Sequence, residues 1–294
     1  MSKKPQKAKD AKRASIIIPT HNRLDDLEEL LSALETTLEG DTLTEVIIVD
    51  DASSDGTCQK LQAAYPWVQL IASNENAGPA AARNVGARAA SGMLLLFLDS
   101  DGVPEHNWLE AMMDAQEEGT VLLGCPVDYD TGRVQSVPRR ATFLGKSLPC
   151  APHRANSGPS CNLGIPRDSF RELGGFDEEI PYYFEDSDLC IRARRAGCAF
   201  KFVPDAVFRH KGMERKKGNA IRMQEHNSTY AMLKHYQISI PTIAIFIILN
   251  SMWFFARLFV WGIQGRFSDC KQLFLGWVSA HGRFAKRMKT SGSP

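Results

Sequence analysis

Met93-Leu94-Leu95-Leu96-Phe97-Leu98-Asp99-Ser100-Asp101 is the stretch that decides the fold. Its apolar run lacks polar alternation, so it reads as a strand covered on both faces, the kind found in parallel sheets. Two acids stop it abruptly. Upstream, Ser15-Ile16-Ile17-Ile18-Pro19 and Val46-Ile47-Ile48-Val49 have the same character, the second closing on Asp50-Asp51, and residues 68–72 form another short run. Between the runs lie helical patterns. Residues 24–38 place Leu24, Leu27, Leu30, Leu31, Leu34 and Leu38 at helical spacing with acids between them. Residues 57–65 and the Ala-rich 80–91 fill the other gaps. This alternation predicts an α/β fold, a Rossmann-like, mostly parallel sheet with helices on both faces. Such sheets bind ligands beyond the carboxyl ends of their strands. The Thr20 segment, Asp50-Asp51 and Asp99-Ser100-Asp101 all fall on that rim.

Further downstream the pattern loosens. Residues 120–185 are rich in Gly, Pro and polar groups. Residues 186–196 read as a helix ending at Gly197, 200–203 and 206–208 as two short strands, and 219–236 as a helix. Residues 238–263 are strongly apolar, interrupted by Asn250 and Arg257.

The chain has 294 residues, 44% of them hydrophobic, with 35 basic and 34 acidic side chains. Balanced charge and ordinary apolar content exclude a largely disordered chain. A mean hydropathy of -0.24 excludes a polytopic membrane protein, and a net charge of +1 gives no case for nucleic-acid binding. The charge is uneven, however. Residues 1–14 and 264–294 each carry six bases against one acid, whereas 15–263 carry 23 bases against 32 acids. An acidic body with basic ends suits a metal-using domain whose ends meet an anionic surface, or simply solvated termini. Seven cysteines without a C-x-x-C pair read as reduced, buried thiols in a reducing compartment. The basic N-terminus has no apolar stretch behind it, so no signal peptide is expected.

Carboxylates at Asp99 and Asp101, two apart at a strand end, are unfavourable neighbours unless a cation lies beside them. Hard oxygen donors on a loop suit Mg²⁺ or Mn²⁺. The alternative is a polar loop with Asp101 as a helix cap. Asp50-Asp51 reads either as an Asx-type turn or as a receptor for base or ribose N–H and O–H groups. In Glu185-Asp186-Ser187-Asp188 helix capping explains one or two acids but not three, which leaves a carboxylate for general-base work. His210 is a packing residue or a third metal ligand. Arg83 and Asn84 follow the loop Asn76-Ala77-Gly78, where backbone and guanidinium can approach phosphate. Gly145-Lys146-Ser147 lacks the spacing of a Walker loop, and no G-x-G-x-x-G is present.

Taken together, Ile16-Ile17-Ile18-Pro19-Thr20-His21-Asn22-Arg23, Ile48-Val49-Asp50-Asp51-Ala52-Ser53-Ser54-Asp55-Gly56-Thr57, Asn76-Ala77-Gly78 through Arg83-Asn84, Leu98-Asp99-Ser100-Asp101, Gly174-Gly175-Phe176-Asp177-Glu178, Tyr183-Phe184-Glu185-Asp186-Ser187-Asp188-Leu189 and Phe208-Arg209-His210 resemble the family 2 glycosyltransferases. These are inverting enzymes of the glycosyltransferase A-type fold. The resemblance covers about two thirds of the chain, from Ala14 to His210. It implies transfer of a sugar from a nucleoside diphosphate sugar, UDP in the first instance, to a hydroxyl of a saccharide, lipid-linked or protein acceptor. Pro19, Thr20, Asn22 and Arg23 would line the nucleotide pocket. Asp51, with Asp50, would read the base. Gly78, Arg83 and Asn84 would lie near ribose and pyrophosphate. Asp99, Ser100 and Asp101 form the D-x-D motif, with Asp99, Asp101 and His210 the expected ligands of Mn²⁺ or Mg²⁺. Asp186 occupies the general-base position and Glu185 neighbours it. Asn162 and Gly164 fall where the sugar and acceptor site is shaped.

The expected organisation is a basic tail at 1–14, a catalytic domain at 15–236, a hydrophobic membrane-associating segment at 237–264 and a basic tail at 265–294. As a helix, 238–263 is long enough to span a bilayer, with Trp253 and Trp261 as interfacial anchors. A mid-membrane Arg257 is costly unless it snorkels, so a surface or re-entrant helix, a single span and a buried core or oligomer helix all stay open. The location implied is the cytoplasmic side of the inner membrane, peripheral or held by that segment. Two rival readings remain. Leu96-Phe97-Leu98-Asp99-Ser100-Asp101-Gly102 also resembles the haloacid-dehalogenase phosphatase motif, with Asp99 as nucleophile, although that motif belongs on a first strand. The other rival is a non-catalytic nucleotide-sugar binding protein.

Overall fold

The computed structural model describes residues 14–136, 138–211, 219–236 and 239–291. The basic stretch 1–13 therefore lies outside the described residues.

Strands β1 (Ala14–Thr20), β2 (Thr44–Asp50), β3 (Gln69–Ala72) and β4 (Leu94–Leu98) run parallel, in the order β3-β2-β1-β4. Every residue of β1 and β4 is buried. That is why neither shows alternation: both faces of the sheet are covered. Ile16, Ile18 and Leu96 pack on one face with Leu27, Leu30, Leu31 and Leu34 of α1 (Leu24–Thr37). Ile17, Leu95 and Phe97 pack on the other with Ala80, Ala82 and Ala87 of α3 (Pro79–Ala89), while α2 (Thr57–Ala64) links β2 to β3. Small residues let α3 lie close; a Cβ added at Gly86 would sit 2.5 Å from Ile17.

Beyond β4 the sheet becomes mixed. It continues β9-β6-β10-β5, formed by β5 (Gly102–Pro104), β6 (Thr120–Asp128), β9 (Asn162–Pro166) and β10 (Ala199–His210), with α4 (Trp108–Asp114) after β5. β9 is antiparallel to both β4 and β6, β10 is parallel to β6, and β5 is antiparallel to β10. The expected strands 200–203 and 206–208 are one strand with a register break between Phe202 and Val207. Pro204 sits in that break and has no N–H to give to the ladder. A separate hairpin, β7 (Arg139–Ala141) and β8 (Ser147–Pro149), stands over the site. Two short helices follow, α5 (Arg167–Glu172) and α6 (Glu185–Arg195).

Three helices complete the described chain: α7 (Asn219–Tyr236), α8 (Ile240–Ile263) and α9 (Phe267–Ser291). The stretch 265–294, expected as a tail, is thus mostly a 25-residue helix. Its apolar residues Leu273, Ala280 and Phe284 are buried. Gly276 lets α9 approach α7, since a Cβ there would lie 2.4 Å from the Arg222 carbonyl oxygen. Nor are all its bases free for an anionic surface: Arg287 pairs with Glu179 at 2.9 Å, and Arg283 donates to the Glu179 carbonyl at 2.9 Å and stacks on Tyr230. α8 buries only Phe246, Asn250 and Phe254, one stripe at four-residue spacing. Ile243, Ile247, Leu258 and Trp261 are half-buried against the same helices, and its other large apolar side chains are exposed.

Candidate active site

The carboxyl ends of β1, β2, β4 and β10 and the N-terminus of α6 open onto one cleft of about 1200 Å³. Pro19, Thr20, Arg23, Asp51, Arg83, Asp99, Ser100, Asp101, Glu185, Asp186 and His210 all line it. Sequence positions far apart are therefore brought together as the fold class requires.

Four other expected site residues do not line it. Both carboxylate oxygens of Asp50 are engaged, by the Ser53 N–H at 3.2 Å and the Cys58 thiol at 2.8 Å. Burial and that carboxylate push the Cys58 pKa up to about 11. Asn22, in a left-handed conformation with φ 52°, accepts the Ser54 N–H at 2.7 Å and fixes the loop facing β1. Asn84 accepts the Phe176 N–H at 2.8 Å and donates to the Phe176 carbonyl at 2.9 Å and to Glu178 at 2.9 Å. It clamps the Gly174-Gly175-Phe176 turn rather than facing a ligand. Gly78 (φ 88°) donates its N–H to Asp51 at 2.8 Å, and Tyr182 lies so near that a Cβ would meet its ring at 3.1 Å. Asp51 takes the Ala77 N–H at 2.9 Å on its other oxygen. It thereby pins the loop before α3 while staying on the cleft wall.

Arg83 is the centre of the site. It is buried, and its two amino groups reach Asp99 at 2.6 Å and Glu185 at 3.1 Å. It ties the D-x-D strand end to the α6 acids in place of lying free for a phosphate. Burial pushes the Glu185 pKa up to about 7, with the Asp186 charge adding to the rise and Arg83 opposing it. One Glu185 oxygen, Oε2, is buried without a hydrogen-bond partner among the described residues, and so is the Thr20 hydroxyl. α6 starts from Tyr183 (φ 53°) and Phe184 (φ 102°), two left-handed aromatic residues. Such conformations are strained for bulky side chains and persist where the surroundings fix them. Here they turn the chain so that Glu185 and Asp186 enter the cleft.

The donors expected to hold a metal also meet. His210 Nε2 lies 3.1 Å from Asp101 and 3.7 Å from Asp99. Burial would lower the His210 pKa, but the Asp101 hydrogen bond and the charges of Asp99 and Asp101 outweigh it and raise the value. Burial would likewise raise Asp101, yet His210 and Arg23 hold it below the ordinary carboxylate range. Two carboxylates and one imidazole, with Arg23 and Arg83 beside the acids, are a donor set that fits Mn²⁺ or Mg²⁺. Cys161 stands beside Asp99 and His210. Burial holds its thiol well above the ordinary range, so it is a neutral wall.

Sequence reasoning missed a second half of the cleft. Lys146, on the β7–β8 turn, Glu225 of α7, and Arg257, Trp261 and Arg266 from α8 and its C-terminal turn line it. Lys146 lies in the stretch examined only as a Walker loop. Arg257 was legible as an anomaly inside an apolar run. It does not snorkel: it bonds Glu225 at 2.7 Å and stacks on Trp261 at 4.7 Å, facing the protein.

The family model described as Glycosyl transferase family 2 matches residues 15–174, over half of the chain. The chain belongs to glycosyl transferase family 2. Among curated relatives, the pre-mycofactocin glycosyltransferase of Mycobacterium tuberculosis is 30% identical, over 70% of this chain and 44% of its own length. The glycosyltransferase AglE of Haloferax volcanii is 28% identical, over 67% of this chain and 66% of its own. The chain thus spans less than half of the first and just under two thirds of the second. Solved structures share the fold. GalNAc-T7, crystallised with UDP, GalNAc and Mn²⁺, superposes with a TM-score of 0.63 at 16% identity, over 77% of this chain and 48% of that one. The mannosyltransferase PcManGT of Pyrobaculum calidifontis, with GDP-Man and Mn²⁺, gives 0.59 at 18% identity, over 96% of this chain and 79% of that one. The D-x-D strand lies on the fourth strand of this family 2 sheet, paired with β1 and β9, and Asp99 is held by Arg83. The phosphatase reading of Asp99 is therefore withdrawn.

Proposed function

We propose that this family 2 protein is a metal-dependent inverting glycosyltransferase that moves a sugar from a nucleoside diphosphate sugar, with UDP as the nucleotide, to an acceptor hydroxyl. The observation that carries the reading is one cleft shared by Asp51, the Asp99–Asp101–His210 set and Asp186. Asp51 spends one lone pair of each oxygen on the loop N–H groups. Each oxygen keeps another for a base N–H, which suits uracil. Thr20 offers its unpartnered hydroxyl to the nucleotide beside it. Asp99, Asp101 and His210 would hold Mn²⁺ or Mg²⁺, which when bound offsets the charge of the diphosphate leaving group.

Asp186 accepts the acceptor O–H proton while that oxygen bonds the anomeric carbon. The bond from that carbon to the phosphate oxygen breaks, and its electron pair leaves with the diphosphate. One displacement inverts the centre, so no nucleophilic side chain is required. Arg83 keeps Glu185 and Asp99 fixed on either side of the reacting atoms, which is positioning by preorganised charge.

The exposed apolar residues of α8 include Ile245, Ile248, Met252, Phe255 and Phe259, and Phe274 and Val278 of α9 are exposed as well. Exposed apolar surface of this extent marks an interaction site. We assign it to the cytoplasmic face of a membrane, where α8 is also long and apolar enough to enter the bilayer.

Calorimetry with UDP, GDP and dTDP, in Mn²⁺ and then in excess chelator, tests the donor site. Metal-dependent, base-selective binding that disappears in Asp101→Ala is expected. A folded protein that binds none of the three overturns the reading. Asp186→Asn separates it from a pure binder: the transferase loses donor turnover and keeps nucleotide affinity.

A further inference from the structure

The half of the cleft beyond Asp186 has a composition that the donor does not account for. Glu225 is buried at 3% exposure and, among the described residues, is the only carboxylate that Lys146 and Arg257 share, at 3.9 Å and 2.7 Å. Two half-buried cations on one buried acid leave a positive surplus on the cleft wall. Arg266 adds a third cation: its guanidinium and that of Arg257 both lie over the Trp261 ring, at 4.1 Å and 4.7 Å. Arg266 is itself paired to Asp269 at 2.8 Å, which holds its planar fork in place. The lobe is built from three separate elements, the β7–β8 turn, α7 and the α8–α9 junction. Its position is fixed by packing, since a Cβ at Gly145 would meet Met232 of α7 at 2.7 Å and Phe184 at 3.2 Å.

Two physical facts define an occupant. A half-buried surplus of positive charge with guanidinium forks recognises an oxyanion, phosphate above all. The same α8 that supplies Arg257 and Trp261 carries an exposed apolar face, with Phe259 and Val260 between those two residues in the chain and Ile263 just after them. We infer that the lobe formed by Lys146, Arg257, Trp261 and Arg266 binds the phosphate of an amphiphilic acceptor, a phosphorylated long-chain lipid or a saccharide linked to one, whose chain follows the apolar face of α8 while its hydroxyl reaches Asp186. The assignment deepens the transferase reading and rests on it. Burial lowers the Lys146 pKa, with Glu225 opposing and Arg257 adding to the fall, and an anion in the lobe would oppose that fall.

The test uses the full chain and phosphatidylcholine vesicles containing a long-chain polyprenyl phosphate, the matching polyprenol, or neither, in a flotation assay, with inorganic phosphate as competitor. Binding to the phosphorylated vesicles should exceed that to the polyprenol vesicles by about tenfold or more, the scale of one charge-assisted contact. Arg266→Ala and Lys146→Gln should each remove most of the difference while UDP affinity in Mn²⁺ is unchanged. Competition by inorganic phosphate alone, with equal binding to all three vesicles, would give the lobe a free anion and overturn the lipid assignment. So would an Arg266→Ala protein that still discriminates. The failure of the underlying reading looks different: the wild-type chain would bind no nucleoside diphosphate, whatever the vesicles show.

Discussion

Glu185→Gln offers the most direct check on the electrostatics of the site. Glu185 is buried, shares Arg83 with Asp99, and has a pKa raised from 4.5 to about 7. A carboxyl with a raised folded pKa binds more protons folded than unfolded between those values. Stability is then full below about pH 4.5, falls as pH rises towards 7, and stays low above it. At about 1.4 kcal/mol per pH unit, the shift corresponds to about 3 kcal/mol of ionisation cost. Gln keeps the shape and an oxygen for Arg83, but does not ionise. Urea unfolding in chelator at pH 5 and pH 8 should show the wild type losing a few kcal/mol over that interval that Glu185→Gln retains. The variant should be the more stable protein at pH 8 and the less active one, because the strained acid is part of the machinery. Parallel pH profiles for the two proteins would refute the reasoning and place the Glu185 charge in a well-solvated or better-paired setting.

Asn84→Ala removes two hydrogen bonds to Phe176 and one to Glu178 at a buried position and should cost about 2–4 kcal/mol, read by urea unfolding. Gly276→Ala forces a Cβ to within 2.4 Å of the Arg222 carbonyl, so α9 must move off α7; a lowered thermal midpoint of about 1–3 kcal/mol equivalent is expected, with UDP affinity retained. Cys58, raised to about 11 beside Asp50, should be alkylated by iodoacetamide at pH 8 far more slowly in the folded than in the urea-unfolded protein, as read by mass spectrometry of the labelled peptide.

How much of this was legible beforehand follows the physics of each region. The first half was legible because β1, β2 and β4 are buried on both faces and their acids sit where the strands stop. Composition alone exposes such strands. The region 120–185 was not, because β6 and β9 pair across long loops, and nothing local encodes that β9 enters antiparallel between β4 and β6. Among the site residues, chemical type predicted membership of the cleft but not direction. Asp50 and Asp51 are adjacent, yet the pleat sends one into the Ser53 and Cys58 contacts and the other to the cleft wall. Asn84 and Arg83 divide in the same way on α3. The misread C-terminus has another cause. Six bases dominated the reading of 264–294, while its core contacts, Leu273, Ala280 and Phe284, are spread at helical spacing and only make sense once α7 is there to meet them.

That last element changes the meaning of the whole chain. A helix as apolar as α8 could belong to a separate anchor, but its one charged side chain turns inward to Glu225, and Asn250 accepts the Trp277 indole N–H of α9 at 2.9 Å. α9 in turn reaches Glu179, in the segment that leads into Tyr183, Phe184 and the α6 acids. Glu179 also receives Lys234 of α7 at 2.6 Å. The three helices therefore brace the loop that aims Asp186 on one side and present an apolar surface on the other. Replacing Glu179 by Gln would weaken three cationic contacts from α7 and α9 at once without touching the cleft. If the bracing sets the position of Asp186, donor turnover should fall several-fold while UDP affinity holds. Equal losses in binding and turnover would instead show that the helices merely stabilise the fold.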